Sequence, residues 1–314
     1  MRTAVIGIGY LGRFHAQKYA SLPNSTLVGV ADPSEAARSK ASAEFKVAAY
    51  ADYRELLGQV DAVSIVTPTP SHFEVAQAFL NAGAHVLVEK PMTASIAEGE
   101  QLIALAAKAG RVLQVGHLER FNAAVKAVQP SLSVPRFLES ARLAPFKQRG
   151  TDVNVVLDLM IHDIDLILSI VRSPVVSVDA IGSSIFSQEI DIANARLRFE
   201  NGCVANATAS RVSLKTERKL RLFQDDAYVS MDLQQKILTI IRKGNGVGAD
   251  GMPQVAIDET TYEQGDALND EIKAFLDSAM SGGVAEVSGE DGLLALRTAL
   301  TITEQVQRSV AKFS

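Results

Sequence analysis

The chain has 314 residues, 47% of them hydrophobic and 21% charged, and 36 acidic against 31 basic side chains leave a formal charge of −5. That length suits two domains, the apolar share excludes disorder and low complexity, and the acidic balance offers no field to draw the chain to nucleic acid or an anionic lipid surface. The single cysteine, Cys203, excludes an internal disulfide or a CxxC metal site and reads as a small buried strand residue.

The chain opens MRTAVIGIG, without the long apolar stretch and small-residue cleavage site of a secretory signal. Apolar runs such as VSIV and HVLV are far shorter than the roughly 18 residues a membrane span requires, so a soluble, cytoplasmic protein is expected. From there the first 120 residues alternate: strand TAVIGI, helix GYLGRFHAQKYASL, strand TLVGVAD, helix SEAARSKASAEF, strand DAVSIVTP, helix SHFEVAQAFLNAG, strand HVLVEK, helix SIAEGEQLIALAAKAG, strand RVLQVGH. Gly83 and Gly110 stand where helices need a left-handed stop. Strands that are apolar throughout and separated by helices imply an α/β, doubly wound parallel sheet.

Beyond Pro135 the pattern predicts a long helix over 152–171, then strands of alternating polarity in VVSVDAIG, DIANARLRFE, CVANATASRV, KLRLFQ, AYVSMDL and KILTIIR. GNGVGADGMP reads as an exposed hairpin loop, and EDGLLALRTALTITEQVQRSV as a closing amphipathic helix. The expected organisation is a Rossmann-type domain over 1–120 and, over 121–314, an α+β domain with a large, mostly antiparallel open sheet covered by helices on one face.

Three groups of residues carry chemistry. Gly7, Gly9 and Gly12 form GIGYLG, with Tyr10 and Leu11 between them, directly after the first strand: the first glycine permits the turn, the second lets backbone approach a pyrophosphate, and the third lets helix and strand pack. Asp32 follows 20 residues after Gly12, where a carboxylate binds the adenosine ribose, which favours NAD over NADP; an alternative role is a helix N-cap ahead of SEAA. Arg38, a turn further on, leaves the strictness of that preference open. The second group, Thr67, Pro68, His72, Glu89, Lys90, His117, Arg120 and Asn122, lies at the carboxyl ends of later strands, where open parallel sheets bind ligands. There Lys90 could orient a substrate hydroxyl and stabilise developing negative charge on its oxygen, or be a loop lysine held by Pro91, and His72 reads as a helix-start residue packed under the cofactor. Third, Asp158 and His162 stand four apart on the long predicted helix, so both reach one face, and the imidazole suits proton removal from a hydroxyl. Only five histidines are present, and no HExxH or cysteine cluster supports a metal.

GIGYLG, Asp32, TPTPSH, the EKP lysine and DLMIHDID together resemble the glucose-fructose oxidoreductase and inositol dehydrogenase (Gfo/Idh/MocA) family over essentially the whole chain. The resemblance implies an NAD(P)-dependent enzyme of sugars or polyols in which His162 is the base, Asp158 its partner, and the C-terminal sheet joins a homodimer or homotetramer. One departure is VNVV ahead of Asp158, where relatives often carry glycines. The stretch from GHLERFN through RLAPFKQRGTDVNVVLDLMIHDIDLIL is similar to the subgroup that oxidises the 3-hydroxyl of UDP-N-acetylglucosamine, whose ketone an aminotransferase then converts to the diamino sugar of lipid A. Under that reading Arg142, Lys147 and Arg149 bind the pyrophosphate, and Arg120 and Asn122 line the pocket; a solvated basic rim is the plain alternative, with Arg120 tying the domains together. A dehydrogenase of a free sugar or polyol, and a non-catalytic NAD-bound sensor, are the other functions the residues allow.

Overall fold

The computed structural model describes residues 1–147, 153–247, 251–262 and 265–310; Arg149 therefore lies outside the described residues. The chain forms two units, Met1–Leu118 with Asp266–Leu294, and Glu119–Gly265 with the chain from Ala295 onward.

In the first unit, six parallel strands β1 (Arg2–Ile6), β2 (Thr26–Ala31), β3 (Ala48–Tyr50), β4 (Ala62–Ile65), β5 (His85–Glu89) and β6 (Leu113–Gly116) stand in the order β3-β2-β1-β4-β5-β6. The order reverses beside β1, the switch point at which such sheets open a crevice past their carboxyl ends. The expected helices are α1 (Tyr10–Ser21), α2 (Glu35–Phe45), α3 (His72–Asn81) and α4 (Ile96–Ala109). Local chemistry sets their ends: Ser95 and Glu98 form a reciprocal capping box at the start of α4, and Gly110 closes it in the left-handed region at φ 61°.

The second unit begins with α5 (Ala123–Val128) and β7 (Phe137–Leu143). A π-helical turn, Val156–Met160, leads into α6 (Ile161–Val171), followed by β8 (Val175–Ser183), β9 (Ile192–Phe199), β10 (Val204–Ser210), β11 (Glu217–Phe223), β12 (Ala227–Asp232), β13 (Ile237–Val247) and β14 (Pro253–Thr261). The eight strands order as β14-β13-β12-β11-β7-β10-β9-β8, all neighbours antiparallel except β7 with β10. Along β9, Ala193, Ala195, Leu197 and Phe199 are buried while Asn194, Arg196 and Arg198 are exposed, so one face meets the core. Small residues on that face, including Ala205, Ala207 and Ala209, pack in one core with Ile161, Ile164 and Leu168 of α6.

Three elements differ from expectation. The helix expected over 152–171 starts only at the π turn, because Val153 and Asn154 are non-helical and the Asn154 side chain caps that turn, its Oδ1 accepting from the amides of Val156 and Leu157 at 3.0 and 3.1 Å. The glycine-rich stretch is partly sheet, since β13 runs to Val247 and β14 pairs with it. Finally, α7 (Ala267–Ser281) and the start of α8 (Gly289–Val310) belong to the first unit, so the expected partition at 120/121 is corrected. The reason is burial: Ile272, Phe275 and Leu276 of α7 share a core with Val5, Tyr19 and Leu27, and the amide of Val115 donates to Val287 O at 3.1 Å. The remainder of α8 buries Ala299, Ile302 and Val306 in the second unit.

Candidate active site

The glycine loop is built as its spacing requires. Gly7 sits at φ 86°, and a Cβ there would meet Val66 O at 2.6 Å, so a side chain is excluded twice over. A Cβ on Gly12 would run into the Gly7 carbonyl, whereas a Cβ on Gly9, the residue preceding α1, would meet nothing within 4 Å. The loop is thus held shut at Gly7 and Gly12 and stands open above Gly9, beside the amides that begin a helix. Tyr10 is 70% exposed and meets Phe14 edge to face, while Leu11 is half-buried.

Asp32 braces this loop: its Oδ2 accepts from the amide of Ile8 and its Oδ1 from that of Ser34, each at 2.8 Å. The N-cap of α2 is Ser34, whose Oγ accepts from Ala37, so the capping alternative for Asp32 is set aside. Arg38 turns its Nη1 onto the carbonyls of Asp32 and Pro33 at 2.7 and 2.8 Å. Beside Asp32 opens a pocket of about 220 Å³ whose wall includes Gly7, Tyr53, Thr67, Pro68 and Glu74. Thr67 Oγ1 is buried with no hydrogen-bond partner.

Lys90, half-buried, follows β5, and its peptide bond to Pro91 is cis. Its amide donates to Glu89 Oε2 at 3.3 Å, and Glu89 Oε1 accepts from His15 Nε2 at 3.2 Å. Burial pushes the Glu89 pKa up, but the hydrogen bond from His15 and the charges of His15 and Lys90 outweigh it and hold the group below the ordinary glutamate range. Glu89, expected to touch cofactor, thereby ties the lysine-bearing loop to α1. Sequence reasoning misses His15, although it stands one turn beyond Gly12 on the face of α1 that packs on the sheet. His72 is 1% exposed, its two ring nitrogens lying 2.8 and 3.0 Å from the carbonyls of Thr67 and Pro91. Burial lowers its pKa. It joins the loops after β4 and β5. His117 is buried after β6.

In the second unit Asp158 lies in the π turn and His162 in the first turn of α6, both half-buried. The expected spacing on one continuous α-helix is replaced by a π turn that hands over to α-helix, a feature frequent at functional sites. The approach is fixed from behind. Arg211 Nη1 donates to Val153 O at 2.6 Å and its Nε to Asp191 Oδ1 at 2.8 Å. The fully buried Asp191 also accepts from the amides of Ile185, Phe186 and Ser187.

Three residues expected at the substrate have partners within the second unit. Arg142 is 4% exposed and directs its guanidinium to Asp163 and Glu119 rather than to a bound anion. Arg120 pairs with Asp165 at 2.7 and 2.8 Å, and both residues belong to the second unit. Asn122 is the N-cap of α5, its Oδ1 accepting from Ala124 while its Nδ2 donates to Leu233 O. Each of these side chains is committed to the interior because an unpaired charge or amide there would be costly. Lys147 is exposed.

Among the described residues no three His, Cys, Asp or Glu are grouped to hold a metal ion, and no helix is long and apolar enough to cross a membrane. Cys203 is buried, which raises its pKa to about 11.

Residues 1–117 match the family model described as an oxidoreductase family with an NAD-binding Rossmann fold, and 125–230 match the GFO/IDH/MocA C-terminal domain. The chain is 41% identical over 308 residues to the UDP-N-acetylglucosamine 3-dehydrogenase of Acidithiobacillus ferrooxidans, covering 98% of this chain and 97% of the relative. A solved structure of that dehydrogenase superposes with TM-score 0.93 at 40% identity, covering 98% of each chain. The myo-inositol 2-dehydrogenase of Thermotoga maritima is 27% identical over 315 residues, covering 94% of this chain and 93% of the relative.

Proposed function

Because the chain belongs to the Gfo/Idh/MocA oxidoreductase family, we propose that it is the dehydrogenase that oxidises the 3-hydroxyl of UDP-N-acetylglucosamine to a ketone. The observation that carries the substrate is the full-length likeness to an enzyme of that name, at 41% identity against 27% for the inositol enzyme.

The residues present fit the dinucleotide: the space above Gly9 suits a pyrophosphate, the Asp32 carboxylate a ribose, and the partnerless Thr67 Oγ1 borders the same pocket. Gly7, Gly9, Tyr10, Leu11, Gly12, Asp32, Thr67 and Pro68 would hold it. The chemistry NAD would supply when bound is that of an acceptor for the hydride of the carbinol carbon. The protein's part is to manage the oxygen. His162, as neutral imidazole, takes the hydroxyl proton, Asp158 orients the imidazole or the sugar, and the Lys90 ammonium donates to the oxygen and stabilises its negative charge until the carbonyl forms. Lys90 together with His162 also speaks against a sensor without chemistry. With Arg142 withdrawn, Lys147 and Arg149 remain the proposed contacts to the diphosphate. The enzyme acts in the cytoplasm as a homo-oligomer joined through the outer face of the eight-stranded sheet, where Ile257 stands 64% exposed.

The test is NADH formation with UDP-N-acetylglucosamine, UDP-glucose, free N-acetylglucosamine and inositol. Turnover confined to the UDP-N-acetyl sugar, lost by about 10²–10⁴-fold in Lys90→Ala and His162→Ala while NAD still binds, is expected. Turnover with inositol alone would overturn the substrate and keep the catalytic residues.

A further inference from the structure

The helix that carries His162 is gripped by buried charge. Asp163, the next residue, has a side chain 3% exposed, and its Oδ1 accepts from Arg142 Nε at 3.1 Å and Nη2 at 2.8 Å. Arg142 reaches in from β7, and its Nη1 donates to Glu119 Oε1 at 2.9 Å. Arg218 approaches the same oxygen at 3.7 Å, and Asn122 donates to the other at 3.3 Å. Two residues beyond Asp163, Asp165 is 1% exposed and takes both bonds of the Arg120 fork. Successive residues of an α-helix turn by about 100°, so side chains at 163 and 165 leave α6 on nearly opposite sides, with the direction of His162 set by both.

Stability alone explains this arrangement poorly. A buried ion pair contributes little beyond what packed apolar side chains of similar volume would, because both partners lose their hydration. What a planar guanidinium held by two carboxylates does supply is direction: Arg142 sets two bonds on Asp163 Oδ1 and a third on Glu119, while Asp163 Oδ2 is buried without a hydrogen-bond partner. The need for direction is local: the π turn Val156–Met160 precedes His162, so the ordinary helical ladder does not continue through the segment that sets its register.

Resting on the reading of His162 as the base, we propose that Arg142, acting through Asp163, is a positioning residue: it fixes the rotation of α6 and so aims the His162 imidazole at the reacting hydroxyl.

The test separates aim from stability. In the triple variant Arg142→Met, Asp163→Leu, Glu119→Gln the buried charges are removed together, so no buried charge is stranded, and Arg218, which loses Glu119, is half-exposed. The imidazole resonances of the full-length protein are then recorded by nitrogen–proton correlation, with His162 assigned from His162→Asn among five histidines. The thermal midpoint, NAD affinity, kcat and KM are measured alongside. We expect a folded protein with NAD affinity within about twofold of the parent, a displaced or doubled His162 resonance, and kcat about 10–100-fold lower, since small misplacements of a reacting group cost on that order. A folded triple variant with an unmoved His162 resonance and kcat within about twofold would overturn the proposal. If the triple variant fails to fold, Arg142→Lys decides, because it keeps the charge and loses the fork: kcat at least about fivefold lower with a displaced resonance supports the clamp, and parent-like values overturn it. Should the parent oxidise no sugar, the reading of His162 as a base fails by itself, while the resonance still decides whether Arg142 orients the imidazole.

Discussion

Gly9 and Gly12 belong to one motif, yet the structure gives alanine at the two positions opposite consequences. A methyl group at Gly12 runs into the Gly7 carbonyl oxygen and comes within 2.9 Å of its carbon, both backbone atoms that no side-chain rotation can clear. A backbone clash that close belongs to the upper part of the roughly 1–3 kcal/mol range for overpacking, so about 1–2 kcal/mol of loss is left after the roughly 1 kcal/mol that alanine gains over glycine inside a helix. For a unit of this size the net loss lowers Tm by about 2–8 °C, and the displaced loop weakens NAD as well. At Gly9 the backbone has φ −66° and nothing lies within 4 Å of the added carbon, so Gly9→Ala is expected to melt within about 1 °C of the parent. Its effect is confined to ligand: a methyl group in the space a pyrophosphate would take raises the NAD Kd by at least about tenfold, or 1.4 kcal/mol. Calorimetric melting without cofactor, paired with NADH fluorescence titration, separates the two. Unchanged NAD affinity in Gly9→Ala would refute the placement of the phosphates, and unchanged melting of Gly12→Ala would refute the helix–loop contact.

With Asp32 lining the pocket proposed for the ribose and Arg38 donating to carbonyl oxygens, kcat/KM for NAD should exceed that for NADP by at least about tenfold, and parity would contradict the role of the carboxylate. Asp191→Asn breaks a fully buried charge pair with Arg211 and is expected to lower stability by about 3 kcal/mol, read as a shift of the denaturation midpoint; a parent-like midpoint would show that the pair anchors nothing. His85 is a pH-sensitive support, because its Nδ1 accepts from the amide of Val112 at 3.0 Å and burial, with Arg111 adding to it, lowers its pKa. The unfolded chain then binds its proton first, so the stability His85 provides is present above about pH 6.5 and declines below it, by at most about 1.4 kcal/mol per pH unit. His85→Asn, which keeps an acceptor near the same place, should flatten that slope in Tm measured against pH, and an unchanged slope would assign it to other groups.

Much of the first unit is legible in the sequence because its signals are local. Glycine spacing, caps and apolar runs each act over a few residues, and they place Gly7, Gly12, Asp32 and the loops after β4 and β5 where the structure has them. Two elements there escape for different reasons. The three residues of β3 are too few to show a period. In α7 the spacing of Ile272, Phe275, Leu276 and Ala279 marks an amphipathic helix, but which core that face joins depends on contacts distant in sequence. In the second unit it is charge that misleads. Arg142 suggests a ligand for anions because it leads toward a basic stretch, yet in FLESARL it shares the inward parity of Leu138 and Ser140. Period-two alternation thus places it inside, and a buried arginine demands carboxylates, which Glu119 and Asp163 provide. The His15–Glu89 contact joins residues 74 apart, and no spacing rule announces such a pair.

Removal of hydride from C3 of UDP-N-acetylglucosamine by this chain is read out by isotope transfer. Purified protein is given NAD and UDP-N-acetylglucosamine deuterated only at C3 of the sugar, and the NADH formed is weighed by mass spectrometry. The expected product is NADH carrying one deuterium, together with a ketone at C3. NADH formed without deuterium would show that another position is oxidised, and no NADH under conditions where NAD binds would contradict the proposed reaction outright.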